Sequence, residues 1–391
     1  MTRLRLVLAI GLALSLVAPG ARSQAASRTP APAAPQAAAD GAALYGKYCQ
    51  VCHGATLQGY GADNAPSLRS STFLATASDA FLRAAIEHGR AGTAMAGYAR
   101  QDGGPLDPPD VAALIAYIRN GTPAPKPLPR KPASGGAAKG AALYAADCQR
   151  CHGTVEQRGN AVHLANPMFL AGASDAFLRV AVTQGRPGTA MEAWGGTLSP
   201  TEIEDVVAYL RSLARTVPPA PGVASAGAPP TGEGPFVENV PIVLNPHGAQ
   251  ADFTLREDRY VSVADVGKAY QENKRLVLID ARTTSDYARL HITGAVSIPY
   301  FDMHDLDKVP NDGTWVIAYC ACPHHVSGIV VDELRKRGYS HSAVLDEGVF
   351  AWQQKGYAIT AAPGQLPVAA PPPLGAGSGM PKPGDLLEDE H

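Results

Sequence analysis

The sequence predicts a multidomain chain: two small all-α domains in tandem, then an α/β domain whose parallel sheet is flanked by helices. Three observations carry this. Blocks of sequence return: Gly41-Ala42-Ala43-Leu44-Tyr45 as Gly140-Ala141-Ala142-Leu143-Tyr144, Ser78-Asp79-Ala80-Phe81-Leu82-Arg83 as Ser174-Asp175-Ala176-Phe177-Leu178-Arg179, and Gly92-Thr93-Ala94-Met95 as Gly188-Thr189-Ala190-Met191. Each copy closes on an apolar pattern of helical period, Val111, Leu114, Ile115 and Ile118 in one and Ile203, Val206, Val207 and Leu210 in the other. From about Ala251, short continuous apolar runs alternate with helical segments, the signature of buried parallel strands joined by helices.

The elements follow in order. Residues 1–23 read as a cleaved secretory signal: Arg3 and Arg5 precede the apolar run from Leu6 to Val17, Pro19-Gly20 breaks it, and Ala21-Arg22-Ser23 offers small residues for cleavage. Stretches 24–39, 121–138 and 216–250 read as linkers, rich in Ala, Pro and Gly. They separate domains at 40–120, 139–215 and 251–362, and a Pro/Gly-rich tail over 363–391 with an acidic end is expected to be disordered. Asp40 is expected to cap a first helix carrying Leu44, Tyr45 and Tyr48. The last helix of the first copy follows Asp107-Pro108, and Ser199-Pro200-Thr201-Glu202 spells a capping box for the second. In the third domain, Leu276 to Ile279, Trp315 to Tyr319 and Val344-Leu345 read as strands. A helix after Ser327 carries Ile329, Val330 and Leu334 until Gly338 ends it.

Composition excludes some functions. With 391 residues, 46% hydrophobic content, 17% charge and a formal net of −2, the chain lacks the basic excess of a nucleic-acid binder. No stretch of the mature chain is apolar for long enough to span a bilayer.

The chemistry is concentrated in a pentapeptide that occurs twice, Cys49-Gln50-Val51-Cys52-His53 and Cys148-Gln149-Arg150-Cys151-His152. Cys-x-x-Cys-His is the attachment signal of c-type haem: two thiols bond the porphyrin and the histidine binds its iron. Two covalently bound haems are expected, on Cys49, Cys52 and His53 and on Cys148, Cys151 and His152. Such attachment is generally extracytoplasmic, which agrees with the leader and places the protein in the periplasm or otherwise outside the cytoplasm. For a second iron ligand, each copy offers the methionine of its Gly-Thr-Ala-Met block, Met95 or Met191. Competing ligands are His88 in the first copy and His163 or Met168 in the second, and core packing is the plain alternative for the methionines.

Both copies resemble class I cytochrome c domains, over roughly 38–120 and 137–215. They share the early Cys-x-x-Cys-His, a proline loop (Pro66, Pro167) and a methionine before the final helix. The resemblance implies His53 and His152 as proximal ligands, Met95 and Met191 as distal ones, and single-electron transfer as the activity.

Residues 256–362 resemble a rhodanese domain through Asp280-Ala281-Arg282, Asp286-Tyr287, His291-Ile292-Thr293-Gly294-Ala295, Ile298-Pro299 and Glu347-Gly348-Val349-Phe350-Ala351-Trp352. By that resemblance Cys320, between a strand and a helix, is the sulfur-carrying residue, and a helix N-terminus beside it would favour a thiolate or persulfide. The loop Cys320-Ala321-Cys322-Pro323-His324-His325 departs from the family pattern. No arginine appears before Arg335, so only His324 and His325 can supply positive charge, and only when protonated. Cys322 can resolve a persulfide or sulfenate on Cys320.

Three functional readings follow. The first is an exported electron-transfer protein, working with donor and acceptor redox proteins, whose rhodanese-like domain handles sulfane sulfur from a small sulfur compound at Cys320 and passes electrons to the haems. The second is a pure electron shuttle whose rhodanese-like domain only docks. The third is a metal or redox sensor built on Cys320, Cys322, His324 and His325.

Overall fold

The computed structural model describes residues 34–60, 64–216, 240–321 and 325–361. The leader at 1–23, most of the stretch 216–250 and the acidic tail lie outside the described residues. The architecture is the expected one: a helical region of two similar units, then an α/β unit with a parallel sheet between helices.

The first unit runs α1 (Ala34–Tyr48), α2 (Gln50–His53), α3 (Ser71–Leu74), α4 (Asp79–His88) and α5 (Pro108–Arg119). The second repeats it as α6 (Ala137–Leu143), continued by a π turn over Tyr144–Cys148, then α7 (Gln149–His152), α8 (Pro167–Gly172), α9 (Asp175–Gln184) and α10 (Pro200–Thr216). Asp40 does not cap α1. The helix already runs from Ala34 through the alanine-rich stretch that composition assigns to a linker, leaving Asp40 exposed inside it, because alanine is the strongest helix former. The 121–138 stretch has no regular structure before α6 begins at Ala137, and its end is tied down, with Ala133 N donating to Asp175 and Gly136 N to Asp205.

Repeated sequence has become repeated contacts. Ser78 and Ser174 cap α4 and α9, each accepting from a phenylalanine amide, Phe81 and Phe177, at 3.1 Å. Ser199 and Glu202 exchange backbone bonds as a capping box at α10, and Asp107 and Asp110 do the same at α5. The periodic residues of α5 and α10 are buried. Near the C-terminal end of each lies an arginine the repeat blocks do not include. Arg119 donates to Leu74 O (2.7 Å) and Ala77 O (2.5 Å) and pairs with Asp79. Arg211 does the same to Leu170 O, Ala173 O and Asp175.

First and last helices cross at a glycine. A Cβ on Gly41 would lie 2.2 Å from Ala113 O of α5, and one on Gly140 only 1.9 Å from Asp205 O of α10. The Gly-Ala-Ala-Leu-Tyr block is therefore a helix-crossing site, where only hydrogen fits between the two backbones.

The α/β unit comprises β1 (Tyr260–Val261), α11 (Val263–Gln271), β2 (Leu276–Asp280), α12 (Thr284–Arg289), β3 (His291–Ile292), β4 (Val296–Ser297), β5 (Trp315–Tyr319), α13 (Val326–Lys336), β6 (Ser342–Leu345), α14 (Gly348–Gln354) and β7 (Ile359–Thr360). The parallel sheet has the order β1-β6-β5-β2-β4, and β3 pairs antiparallel with β7. Side chains of β2 alternate faces, Val277 and Ile279 joining one core and Leu276 and Leu278 the other. Both faces are covered, as the unbroken apolar runs require. On α13 the inward residues are Val330, Val331 and Leu334; Ile329 is 38% exposed, one position off the buried stripe. Residues 244–250, read as linker, pair with the start of β2: Leu244 and Leu276 exchange backbone bonds, and Arg275 N donates to Ala249 O.

The crossing makes a prediction. Gly41→Ala and Gly140→Ala should each cost on the order of 1–3 kcal/mol by overpacking, read as a lowered denaturant midpoint. Gly196→Ala, where an added Cβ meets no atom within 4 Å and the backbone is not left-handed, serves as the reference for a glycine free of that contact.

Candidate functional site

Each Cys-x-x-Cys-His lies on the short helical turn that follows the first helix. Cys49 is the N-cap of α2 and Cys148 that of α7, so thiols and imidazole leave one turn. The turn is anchored by a tyrosine hydroxyl, Tyr45 Oη donating to Gly54 O (2.7 Å) and Tyr144 Oη to Gly153 O (2.9 Å). Gly54 and Gly153 both sit at φ 77°, where the chain turns sharply away.

The imidazoles are oriented by backbone. His53 Nδ1 bonds Pro66 O at 2.9 Å and His152 Nδ1 bonds Val162 O at 2.7 Å. A carbonyl can only accept, so Nδ1 carries the hydrogen and Nε2 presents its lone pair. Pro167, paired with Pro66 by sequence, instead opens α8, with Asn166 as its N-cap. Any residue offers a carbonyl, so the place of Pro66 is taken by Val162 and no side chain marks it. The carbonyl follows thirteen residues after His53 but ten after His152, which locates the three-residue shortening between the copies.

Burial sets the protonation states. It lowers the pKa of His53 and of His152 and keeps the rings neutral, as ligation needs. It also pushes the Cys49 thiol up to about 12, helped by neighbouring Cys52, and Cys148 up to about 11, helped by Asp147. No described cysteine forms a disulfide. Two thiols and a neutral, correctly tautomerised imidazole on one turn are a donor set that fits c-type haem in both copies.

The methionine loops superpose in their bonding. Arg90 N donates to Met95 O (2.7 Å), Met95 N to Thr93 Oγ1 (3.1 Å) and Thr93 Oγ1 to Arg90 O (2.7 Å). Arg186, Thr189 and Met191 repeat these bonds at 2.9, 3.1 and 2.8 Å. Gly89 and Gly185 are at φ 66° and 65°, and a Cβ on either would strike the methionine carbonyl, at 2.3 and 2.5 Å. The competing ligands are engaged elsewhere. His88 Nδ1 meets Asp102 Oδ2 at 2.7 Å, His163 Nε2 bonds Thr154 O at 2.9 Å, and Met168 Sδ accepts from Ala91 N of the first unit at 3.2 Å.

The units meet through a phenylalanine cluster that sequence reading did not single out. Phe73, Phe81, Phe169 and Phe177 pack edge to face or tilted, with centroids 5.2–6.4 Å apart. Arg90 lies over Phe81, and Arg186 over Phe177 and Phe73.

In the α/β unit, Cys320 follows β5 and precedes α13, with 2% exposure. The connections from β5 and β2 lead to opposite sides of the sheet, so this strand end is a topological switch point. Cys320 Sγ lies 3.2 Å from Ser327 Oγ, a buried partner on the first turn of α13. Cys320 O accepts from Val349 N, while a Cβ on Gly348, at φ 73°, would come within 2.6 Å of that oxygen. The Asp280-Ala281-Arg282 block is a buried ion pair, with Arg282 Nη2 2.6 Å from Asp280 Oδ2. Arg259 also reaches α13, donating to Gly328 O, but Asp332 holds its charge at 2.6 Å. Of the four proposed sensor residues, Cys322 and His324 lie outside the described residues; His325 is the N-cap of α13.

Residues 36–118 and 135–210 match the family described as cytochrome C oxidase, cbb3-type, subunit III, and 263–355 match the rhodanese-like domain. The chain is 32% identical over 185 residues to the cbb3-type cytochrome c oxidase subunit FixP of Azorhizobium caulinodans, covering 45% of this chain and 60% of that one. It is 39% identical over 114 residues to the dihydro-heme d1 dehydrogenase of Pseudomonas aeruginosa, covering 29% and 19%. It thus spans about three fifths of the length of the first of these relatives. Among solved structures, the rhodanese-like domain of an Anabaena protein is similar at 21% identity and a TM-score of 0.26, covering 28% of this chain and 84% of that one.

His88 gives a titratable check. The bond to Asp102, ahead of burial, raises its pKa above the ordinary 6.5. The pair therefore adds stability below pH 6.5 that is lost as pH rises through the raised value. Asp102→Asn should bring the ring's titration back toward lower pH, followed by NMR of the imidazole protons; an unmoved midpoint would refute the pairing.

Proposed function

We propose that this chain, which carries two cytochrome c domains and a C-terminal rhodanese-like domain, is an exported dihaem electron carrier that handles sulfane sulfur at Cys320. The observation that supports it most is the bond-for-bond repetition of the His and Met environments, from the Nδ1–carbonyl bonds to the Arg-Thr-Met loops. In this reading Cys49 and Cys52 hold one haem, with His53 and Met95 as axial ligands. Cys148 and Cys151 hold the other, with His152 and Met191. Each bound haem supplies a one-electron couple, and closure by methionine favours electron transfer over substrate chemistry. The carbonyl bonds keep each imidazole from rotating, and the glycine-turned loops carry each methionine back before the last helix.

Relatives named as cbb3-type oxidase subunits support a place among redox partner proteins. Export is supported by the N-terminal leader and by the extracytoplasmic character of haem attachment. No helix among the described residues is long and apolar enough to cross a membrane.

At the third domain, the switch-point position of Cys320 at the start of α13 supports anion and persulfide binding. The burial of Cys320 favours a second reading, an inactive docking module. The two separate in one measurement: stopped-flow haem reduction by sulfide or a persulfide donor. Sulfur handling predicts that Cys320→Ser abolishes fast reduction, whereas a docking module predicts no change.

The haem assignment has its own test. The intact mass of the purified holoprotein should exceed the processed polypeptide by two haems, and Cys148→Ala with Cys151→Ala should leave one. Met95→Ala and Met191→Ala should each remove one copy's share of the methionine–iron charge-transfer band. An undiminished band would exclude the altered methionine.

A further inference from the structure

We propose that electrons from the Cys320 site enter the first haem domain, not the second, through a junction formed by Tyr48, Tyr98 and Tyr300. This rests on the sulfur-handling reading above and adds a route and a direction to it.

The route is continuous. Tyr319 precedes Cys320, and its carbonyl accepts from Ala281 N at 3.0 Å; Ala281 O in turn accepts from Tyr300 N at 3.0 Å. The Tyr300 side chain crosses into the first unit, its hydroxyl 3.3 Å from Tyr98 Oη and 3.3 Å from Tyr48 O. Tyr98 Oη donates to the same carbonyl at 3.2 Å. Tyr48 is the neighbour of Cys49, whose sulfur would be bonded to the haem. Three hydrogen bonds and the residues they link thus join the thiol's strand to the haem-attachment turn. Tunnelling decays less along bonded contacts than across gaps, so such a path is preferred to a jump through packing. Phe301 closes the junction, with ring centroids 5.6 Å from Tyr48 and 5.1 Å from Tyr300.

The same face is clamped on the methionine segment. Ser285 Oγ on α12 donates to Gly97 O (2.8 Å) and is itself 2.7 Å from Thr283 Oγ1, while Arg289 Nη2 donates to His88 O at 2.8 Å.

The tandem repeat supplies the control. At the positions of Tyr48 and Tyr98 the second copy carries Asp147 and Trp194. At those of Ala96 and Gly97 it carries Glu192 and Ala193. Ala96 and Gly97 are buried, Glu192 and Ala193 exposed. The duplicated domains diverge where the third domain docks, so only the first is built to receive it.

The chemistry balances with hydrosulfide as the sulfur source. The Cys320 thiolate and HS⁻ form one S–S bond, giving a persulfide anion, a proton to solvent and two electrons. Bound haems, held by Cys49, Cys52 and His53 and by Cys148, Cys151 and His152, would supply two one-electron couples and so the oxidant for both electrons.

The test uses the full-length oxidised holoprotein, mixed anaerobically with sodium hydrosulfide. Haem absorbance is followed, and persulfide on Cys320 is counted by mass. Tyr98→Phe with Tyr300→Phe should slow haem reduction by hydrosulfide severalfold while leaving reduction by ascorbate unchanged; Trp194→Phe should alter neither. If Cys320→Ser stops the reaction but the tyrosine double variant matches the native protein, the junction is wrong and the sulfur reading stands. If Cys320→Ser reacts at the native rate, the sulfur reading itself fails. Amide exchange provides a readout independent of turnover. Tyr98 N and Ala99 N are already bonded within the first unit, to Ile86 O and Glu87 O, so the docking is read as a difference. Exchange at 97–99 should be faster in Ser285→Arg than in the native holoprotein, with 193–195 unaffected. Equal exchange at 97–99 in the two proteins would overturn the docking.

Discussion

Everything in the cytochrome domains depends on the crossing of the first and last helices at Gly41 and Gly140. The Cys-x-x-Cys-His turn hangs from the end of the first helix, and the methionine loop leads into the last. With backbone packed on backbone at Ala113 and Asp205, both ends of each domain are drawn together, and the Cys-x-x-Cys-His turn and the methionine loop enter a common frame. Helices held apart by a side chain would carry the same motifs without a defined relation between them. The buried arginines finish the closure. Arg119 and Arg211 gather the carbonyls at the ends of α3 and α8, groups that burial would otherwise leave unsatisfied at real cost.

Within that frame the site is a problem of orientation. A neutral imidazole has two nitrogens, and which one faces the iron is decided by the other's partner. Both copies use a main-chain carbonyl and so commit Nδ1. The bond is short in both although its acceptor changes from Pro66 to Val162. Duplication therefore kept the interaction and let the residue go.

The third domain is organised by the switch point between β5 and β2, which sets Cys320 where strand ends and a helix N-terminus converge. The loop after β4, carrying Tyr300 and Phe301, leaves the same end of the sheet and reaches the first cytochrome domain. Cys320 and the docking surface thus share one end of the sheet. The asymmetry of the chain follows: one cytochrome domain is covered beside its methionine segment and the other is open there.

How much of this was legible is clear from particular residues. The tandem haem motifs, the paired methionines, the capping box at Ser199 and the apolar runs of β2 and β5 are local or periodic features. Sequence displays those directly, because each rests on spacing along one segment. Asp40 misled because a good capping residue says nothing of the alanines before it, and Ile329 because a stripe is set by what the helix faces. Cys322 and His324 lie outside the described residues. The carbonyl of Val162, the crossing at Gly140, the Ser327 partner of Cys320 and the Tyr98–Tyr300 contact could not be read at all. Backbone acceptors carry no side-chain signature, and contacts such as Tyr98–Tyr300, between residues 202 positions apart, exist only once the chain has closed. By itself, then, the sequence determined the chemistry this protein carries and the order of its domains. Only the tertiary structure decided which nitrogen each histidine presents, because its partner is a main-chain carbonyl that no side chain marks, and which cytochrome domain the Cys320 end of the sheet touches, because that is settled by hydrogen bonds between distant segments.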